Sequence, residues 1–365
     1  MTQNQADQPP LPPEQRVGYA VVGIGQLTQE ELLPAFGTAK RSRLAAFVTG
    51  EKAQMLPLAR GQGLTEADVY SYDEFEQLAG RDDVQAIYIV TPNDLHREFT
   101  ERAAKIGKHV LCEKPMSVSV TDAEAMVQAC QSAGVKLMVA YRCQYAPQHW
   151  AARELIQGGQ LGDVRVLSSV NGQLLSDPSS WRLNLKEAGG GPLPDVGLYS
   201  INTARFWLGV EPTEVFAYTY QPTDDPRFKQ VEESVTWIMR FPNGVTLNCV
   251  SSYDILMTRT LRAVGPKGSV YMNPAFDYAG LKLEVGSKDG ETVKQIKDQD
   301  QFTLEIDHFS ACIQEDKTPF TPGEEGVQDH RIMAAIYESA RTGRPVSLQH
   351  YDGQDVFRGS KPEGH

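Results

Sequence analysis

Short apolar runs alternate with amphipathic stretches through the first 140 residues. "VGYAVVGIG" (17–25) is a continuous apolar run ending in glycines and predicts a strand buried on both faces. "TQEELLPAFGTA" (28–39) has helical spacing, with Thr28 as N-cap and acids in its first turn. "SRLAAFVTG" (42–50) is a second strand, and a helix follows over 51–61. "AIYIVTP" (86–92) is β-branched and strand-like, and "NDLHREFTERAAKIG" (93–107) is helical and stops at Gly107. "KHVLCEKP" (108–115) is a strand, 119–133 a helix, and "KLMVAY" (136–141) another strand. Strands and helices alternating at this spacing predict a parallel, doubly wound sheet of the Rossmann type.

The pattern changes near residue 150. A helix in "HWAARELIQGG" (149–159) leads to a strand at 163–171, then a loop with three glycines (189–191) and a helix at about 195–208. From residue 213 the runs become strands joined by turns, and Phe-Pro-Asn-Gly (241–244) marks a hairpin. Such strands are antiparallel. Residues 302–316 and 324–343 are helical and are expected to pack back on the first domain. A length of 365 residues suits two domains. The expected fold class is α/β, with a dinucleotide-binding domain at 17–141 and an α+β substrate and oligomerisation domain at 142–346, built on a large, mainly antiparallel open sheet. The Pro-rich text of 1–16 reads as a flexible or polyproline arm, and 347–365 as a C-terminal tail.

Composition narrows the function classes. The net charge of −12 opposes binding to nucleic acid or anionic lipid and points to a small-molecule partner. No apolar run reaches the roughly 20 residues of a membrane span. No basic patch precedes an apolar stretch at the N-terminus, and no twin-arginine pair is present there, so a cytoplasmic setting is expected. Five scattered cysteines without CxxC spacing read as reduced thiols, and seven unclustered histidines do not propose a metal site.

"GIGQLT" (23–28) lies between the first strand and first helix. Gly23 permits a tight turn, Gly25 lets the backbone approach a pyrophosphate, and Gln26 and Leu27 follow at the helix N-terminus. Thr28 stands where the GxGxxG fingerprint has glycine or alanine. The second strand ends at Thr49 and Gly50, with Lys52 close by and Arg41 and Arg43 at the strand start. Hydroxyl plus ammonium suits a 2′-phosphate and favours NADP over NAD, while Glu51 opposes it.

Two further strands end in polar text that should face the ligand crevice: Thr91, Pro92 and Asn93 with His96 one turn later, and Glu113, Lys114 and Pro115. If a helix starts near Asp195, Tyr199 shares its face. Lys114, Asp195 and Tyr199 then form an acid/base set in which a nearby ammonium lowers the tyrosine pKa. The alternative is that Asp195 is an N-cap and Tyr199 core. The glycines at 189–191 are expected to let their loop approach a ligand.

Taken with "TPNDLH" (91–96), "EKPM" (113–116) and "GGGPLPDVGLY" (189–199), the sequence resembles the Gfo/Idh/MocA oxidoreductases over residues 17–346. "YRCQYAP" (141–147), "DPSSWRLN" (177–184) and "AYTYQPTDDPRF" (217–228) resemble the branch of glucose–fructose and related aldose oxidoreductases. The resemblance implies that Lys114 is the active-site lysine and that Asp195 and Tyr199 are the functional pair of the D-x-G-x-Y motif. It places Thr91, Asn93, His96 and Glu113 at the nicotinamide ribose, and Arg142, Tyr145, Trp181 and Arg182 around the sugar and cofactor. It implies an NADP-dependent sugar oxidoreductase in which Tyr199 takes the C1 hydroxyl proton and Asp195 orients sugar or lysine. The cofactor is either retained, with a second sugar as acceptor, or released. The alternatives are an inositol or other polyol dehydrogenase using free NAD(P), and a non-catalytic NADP-binding regulator. A homodimer or homotetramer through the second sheet is implied, as is an arm at Pro9–Pro13 that covers a neighbour's adenosine.

Overall fold

The structure is a computed structural model and describes residues 9–362. Six strands make the first sheet: β1 (Val17–Val22), β2 (Ser42–Thr49), β3 (Val69–Ser71), β4 (Ala86–Ile89), β5 (His109–Glu113) and β6 (Leu137–Ala140). All are parallel, in the order β3-β2-β1-β4-β5-β6. Every residue of β1 and β4 is buried, as strands covered by helices on both faces must be. The crossover helices are α1 (Leu33–Thr38), α2 (Lys52–Gly61), α3 (His96–Lys105) and α4 (Val120–Ala133). The order reverses between β1 and β4, so a crevice opens at their C-terminal ends.

Helix α5 (Pro147–Gln157) leads into β7 (Val166–Leu174), the centre of the second sheet. After the short α6 (Leu185–Ala188) and α7 (Leu198–Leu208) come β8 (Glu214–Tyr220), β9 (Ser234–Arg240), β10 (Thr246–Ser252) and β11 (Asp254–Val264). Then follow β12 (Ser269–Met272), β13 (Leu283–Ser287), β14 (Gly290–Val293), α8 (Gln301–Gln314), α9 (Gly323–Thr342) and β15 (Val346–Ser347). The nine strands run β14-β13-β12-β11-β7-β10-β9-β8-β15. All pairs are antiparallel except β7 with β10. The expected Pro-Asn-Gly turn joins β9 to β10, with Asn243 at φ 63°. Val235, Trp237 and Met239 of β9 are buried, while Thr236, Ile238 and Arg240 alternate with them on the open face.

Helix α8 returns to the first sheet, as expected. Its Asp307 carboxylate accepts the backbone N–H groups of Lys40 (2.7 Å) and Arg41 (2.9 Å), closing the start of β2. The Tyr19 hydroxyl lies 2.9 Å from Ser310 Oγ. Leu11 N donates to Lys40 O (2.9 Å) and Arg16 Nε to Leu11 O (2.7 Å), so this part of the proline arm packs on its own chain at the start of β2. Residues 1–8 lie outside the described residues.

The C-terminal segment is also docked. Arg358 is nearly fully buried and donates to Glu325 (2.9 Å), and Asp355 pairs with Arg153. Glu325 belongs to a buried cluster around Arg205, which reaches Glu325 (3.0 Å), Asp329 (2.6 Å) and Glu211 (2.7 Å). Charges so buried persist because each has a counter-charge and hydrogen bonds. Arg358→Ala removes one of the two guanidiniums facing Glu325. It should lower the thermal midpoint by roughly 5–10 °C in scanning calorimetry. An unchanged midpoint would mean that the docked segment contributes nothing.

Candidate active site

A cleft of about 910 Å³ opens at the C-terminal ends of β1, β4 and β5 and faces β7 and β11 of the second sheet. Its floor begins at the first strand–helix turn. Gly23 has φ 93°, and a Cβ there would sit 2.8 Å from Val90 O, so glycine is required. A Cβ on Gly25 would meet nothing within 4 Å, which leaves the backbone open to the cleft. Gln26 and Leu27 line the same wall. Thr28 is not the expected N-cap. It lies inside the first helical turn, and its buried hydroxyl donates to Gly23 O (2.7 Å), fastening the turn from behind.

The two polar strand ends converge as expected. His96 is buried with Nε2 2.9 Å from Thr91 O and Nδ1 3.0 Å from Pro115 O, so it bridges both ends. Burial lowers its pKa, and the carbonyls around it partly oppose this. Asn93 donates to Ala188 O (2.9 Å) and ties the first end to the glycine loop. Thr91, Pro92 and Asn93 all line the cleft. The Thr91 hydroxyl is buried and has no partner among the described residues. The Lys114–Pro115 peptide is cis. Glu113 accepts Tyr88 Oη–H (2.8 Å) and Lys114 N–H (3.2 Å), and burial raises its pKa.

Lys114 Nζ donates to the Asp195 carbonyl (2.8 Å) and Oδ1 (3.4 Å), and sits 4.6 Å from the centre of the Tyr199 ring. Asp195 Oδ2 accepts Arg182 Nε (3.2 Å) and Tyr253 Oη (2.9 Å). Burial alone would raise the Asp195 pKa, but Arg182 and Lys114 hold it down at about 2. Asp195 is therefore an anion that anchors the lysine. It sits in the turn Leu193–Gly197 and is no N-cap, and Tyr199 lines the cleft. The expectation that Lys114 acidifies Tyr199 is corrected. Burial raises the Tyr199 pKa, and the cation that most opposes this is Arg142. Arg142 is buried between the rings of Tyr199 (4.8 Å) and Tyr278 (4.5 Å), held by Phe276 O (2.7 Å) and Gln301 Oε1 (2.9 Å).

Trp181 and Arg182 line the cleft, as does Arg142. Tyr145 does not. It is fully buried, with its hydroxyl 2.9 Å from Thr321 Oγ1. Thr49, Gly50 and Lys52 lie beside the cleft rather than on its lining, where Tyr72 takes the wall against Gly50. Arg41 and Arg43 lie at the opposite end of β2, paired with Glu315 (3.2 Å) and Asp83 (3.6 Å). The glycine loop is small for packing. Gly191 N donates to Glu232 (3.0 Å), the Tyr337 hydroxyl donates to the same carboxylate (2.7 Å), and a Cβ on Gly190 would overlap that hydroxyl.

Sequence reading missed Tyr253, Tyr278 and Asn171, which come from the second sheet and its loops. Asn171 carried a signal, because a polar residue facing the core side of a strand needs a reason; its side chain donates to Val196 O (2.7 Å). Among the described residues no cluster of His, Cys, Asp or Glu could hold a metal, the five cysteines are buried and form no disulfide, and no helix is long and apolar enough to cross a membrane.

Comparison with known proteins agrees with this geometry. The family models of the Gfo/Idh/MocA oxidoreductases match twice: the NAD-binding Rossmann fold at residues 17–141 and the C-terminal α/β domain at residues 153–348. The chain is 32% identical to a D-xylose 1-dehydrogenase [NADP(+)] of Haloarcula marismortui, over 91% of this chain and 93% of that one. It superposes on the crystal structure of aldose-aldose oxidoreductase from Caulobacter crescentus, complexed with glycerol, with a TM-score of 0.89 and 40% identity, over 91% of this chain and 100% of that one. A levoglucosan dehydrogenase structure at 22% identity and TM-score 0.80 shares the fold.

Tyr253→Phe removes one donor from Asp195 and should cut kcat about tenfold, the scale of a hydrogen bond to a charged group, with little change in cofactor binding. The depressed Asp195 pKa also sets a pH window. Its stabilisation is complete above about pH 4 and is lost as pH falls toward 2. The thermal-midpoint gap between wild type and Asp195→Asn should therefore narrow only below pH 4. A gap that closes near neutrality would overturn this placement of the charge.

Proposed function

The chain belongs to the Gfo/Idh/MocA oxidoreductase family, and on that premise we propose that it is an NADP-dependent oxidoreductase acting at the C1 CH–OH of cyclic aldoses. The observation that carries this reading is the Lys114 ammonium, fixed on Asp195 and resting over the Tyr199 ring at the end of a dinucleotide crevice. The residues present fit the cofactor. Gly25 leaves backbone open at a helix N-terminus for the pyrophosphate, and the unpartnered Thr91 hydroxyl awaits a polar group further along the cleft. Gly23, Gln26, Leu27, Thr91, Pro92, Asn93 and Glu113 would hold it, and bound NADP supplies the hydride acceptor.

The protein side of the chemistry is proton handling and orientation. Tyr199 receives the C1 hydroxyl proton as hydride leaves C1, so the aldose becomes its lactone. Tyr199 must hold its phenolate before this transfer, and Arg142, the cation that most lowers its pKa, stabilises that anion from one side of the ring while Lys114 rests on the same ring. Asp195 holds Lys114 in place, and Arg182, clamped to the same carboxylate, is free to face the sugar with Trp181. Retention of the cofactor, with a second aldose as acceptor, is supported by the 40% identity to a protein named for aldose–aldose exchange.

An absorbance spectrum of the desalted protein before and after adding xylose or glucose tests this. A reduced-nicotinamide band without added cofactor is the expected result. A band only after free NADP is supplied would mean a conventional dehydrogenase. No band with aldoses, but one with inositols, would replace the substrate class. Lys114→Ala should lose at least a thousandfold in kcat while still binding NADP. Near-wild-type turnover in that variant would remove its role.

The open face of the second sheet carries Tyr218 (62% exposed), Tyr220 (58%) and Ile238 (40%). We propose that a second copy covers it, since a broad apolar sheet face is costly to leave wet. Light scattering should return at least a dimer, and a monomer would contradict it.

A further inference from the structure

The corner that would meet the adenosine ribose is not built as a plain phosphate site. Lys52 opens α2 directly after the C-terminal end of β2, where a dinucleotide places that ribose. Its ammonium is already taken, 2.9 Å from Glu74 Oε2. The same Glu74 oxygen accepts Ser71 N–H (2.8 Å), so the carboxylate is fixed by its own turn rather than drawn in by the lysine. The Tyr72 ring faces the cleft beside Gly50. Glu51, which precedes Lys52, is exposed and accepts Gln54 Nε2–H (3.0 Å). The corner therefore carries one ammonium and two carboxylates, and Arg41 and Arg43 are engaged at the other end of β2.

We propose that Glu74 sets the cofactor preference of this site by competing with the 2′-phosphate of NADP for the Lys52 ammonium. The inference rests on the dinucleotide reading above and deepens it. NAD brings a neutral 2′-hydroxyl and leaves the Lys52–Glu74 pair intact. NADP brings a dianion, which must draw Lys52 away from the carboxylate that already holds it. Both side chains are about a third exposed, at 34% and 35%, so the exchange needs no rearrangement of the core. Selectivity for NADP is thus held below what Lys52 alone would provide.

Dissociation constants for NADP and for NAD on charcoal-treated, full-length protein test this by calorimetry, without reference to turnover. Glu74→Gln keeps an oxygen for the Ser71 N–H but loses the charge. It should raise the NADP-to-NAD affinity ratio roughly fivefold, the scale of an exposed ion pair, and leave NAD binding unchanged. Lys52→Ala should lower the ratio below wild type, and adding Glu74→Gln to Lys52→Ala should change nothing further. An unchanged or lower ratio in Glu74→Gln overturns the proposal. So does a Glu74 effect that survives without Lys52. Wild-type protein that binds neither nucleotide would instead overturn the dinucleotide reading itself.

Discussion

The clamp between Lys114 and Asp195 is the interaction on which the site depends. Lys114 stands at the end of β5 in the first sheet, and Asp195 stands in the turn that leads to α7 and packs on the second sheet. One ammonium therefore joins two independently built layers across the cleft. The carboxylate it grips is charged at any physiological pH, because Arg182 and Lys114 outweigh the cost of burying it. Tyr253 completes the arrangement from beneath. Without the clamp the lysine would be one more flexible side chain at a crevice mouth.

Other contacts serve to hold the two layers in register around that clamp. His96 bridges the strand ends that carry Thr91 and Pro115, and Asn93 reaches the loop that carries Ala188. Glu232 and Tyr337 seize the glycine loop just upstream of Asp195. Farther out, the buried Arg205 cluster ties α7 to α9, and Arg358 brings the end of the chain onto the same cluster. Each of these pays its desolvation through several partners at once, which is how buried polar networks specify one geometry rather than merely add stability.

Legibility in the sequence followed locality. The phosphate turn, the polar strand ends and the Asp195–Tyr199 spacing were readable, because each is a feature of a single strand–turn–helix unit. Arg41 and Arg43 were read at the start of β2 and lie there, at the end away from the ligand crevice, where Glu315 and Asp83 engage them. Lys52 was read as a phosphate partner without its Glu74, which lies 22 residues away. Tyr145 was carried to the site by its neighbour Arg142, but its hydroxyl is taken by Thr321, 176 residues away in the chain.

Hydrophobic period, turn chemistry and motif spacing were enough to establish a doubly wound sheet followed by an antiparallel one, the dinucleotide crevice and the lysine at its end. These depend on interactions within a few residues and on which face of an element is apolar. Only the folded chain decided that Arg142, not Lys114, is the main electrostatic support of Tyr199, that Tyr253 holds Asp195 from behind while Tyr278 lines the cleft, and that the glycine loop is small for Tyr337 and Glu232. Those outcomes depend on pairs far apart in the chain and on how burial, which raises the cost of every charge, is shared among them.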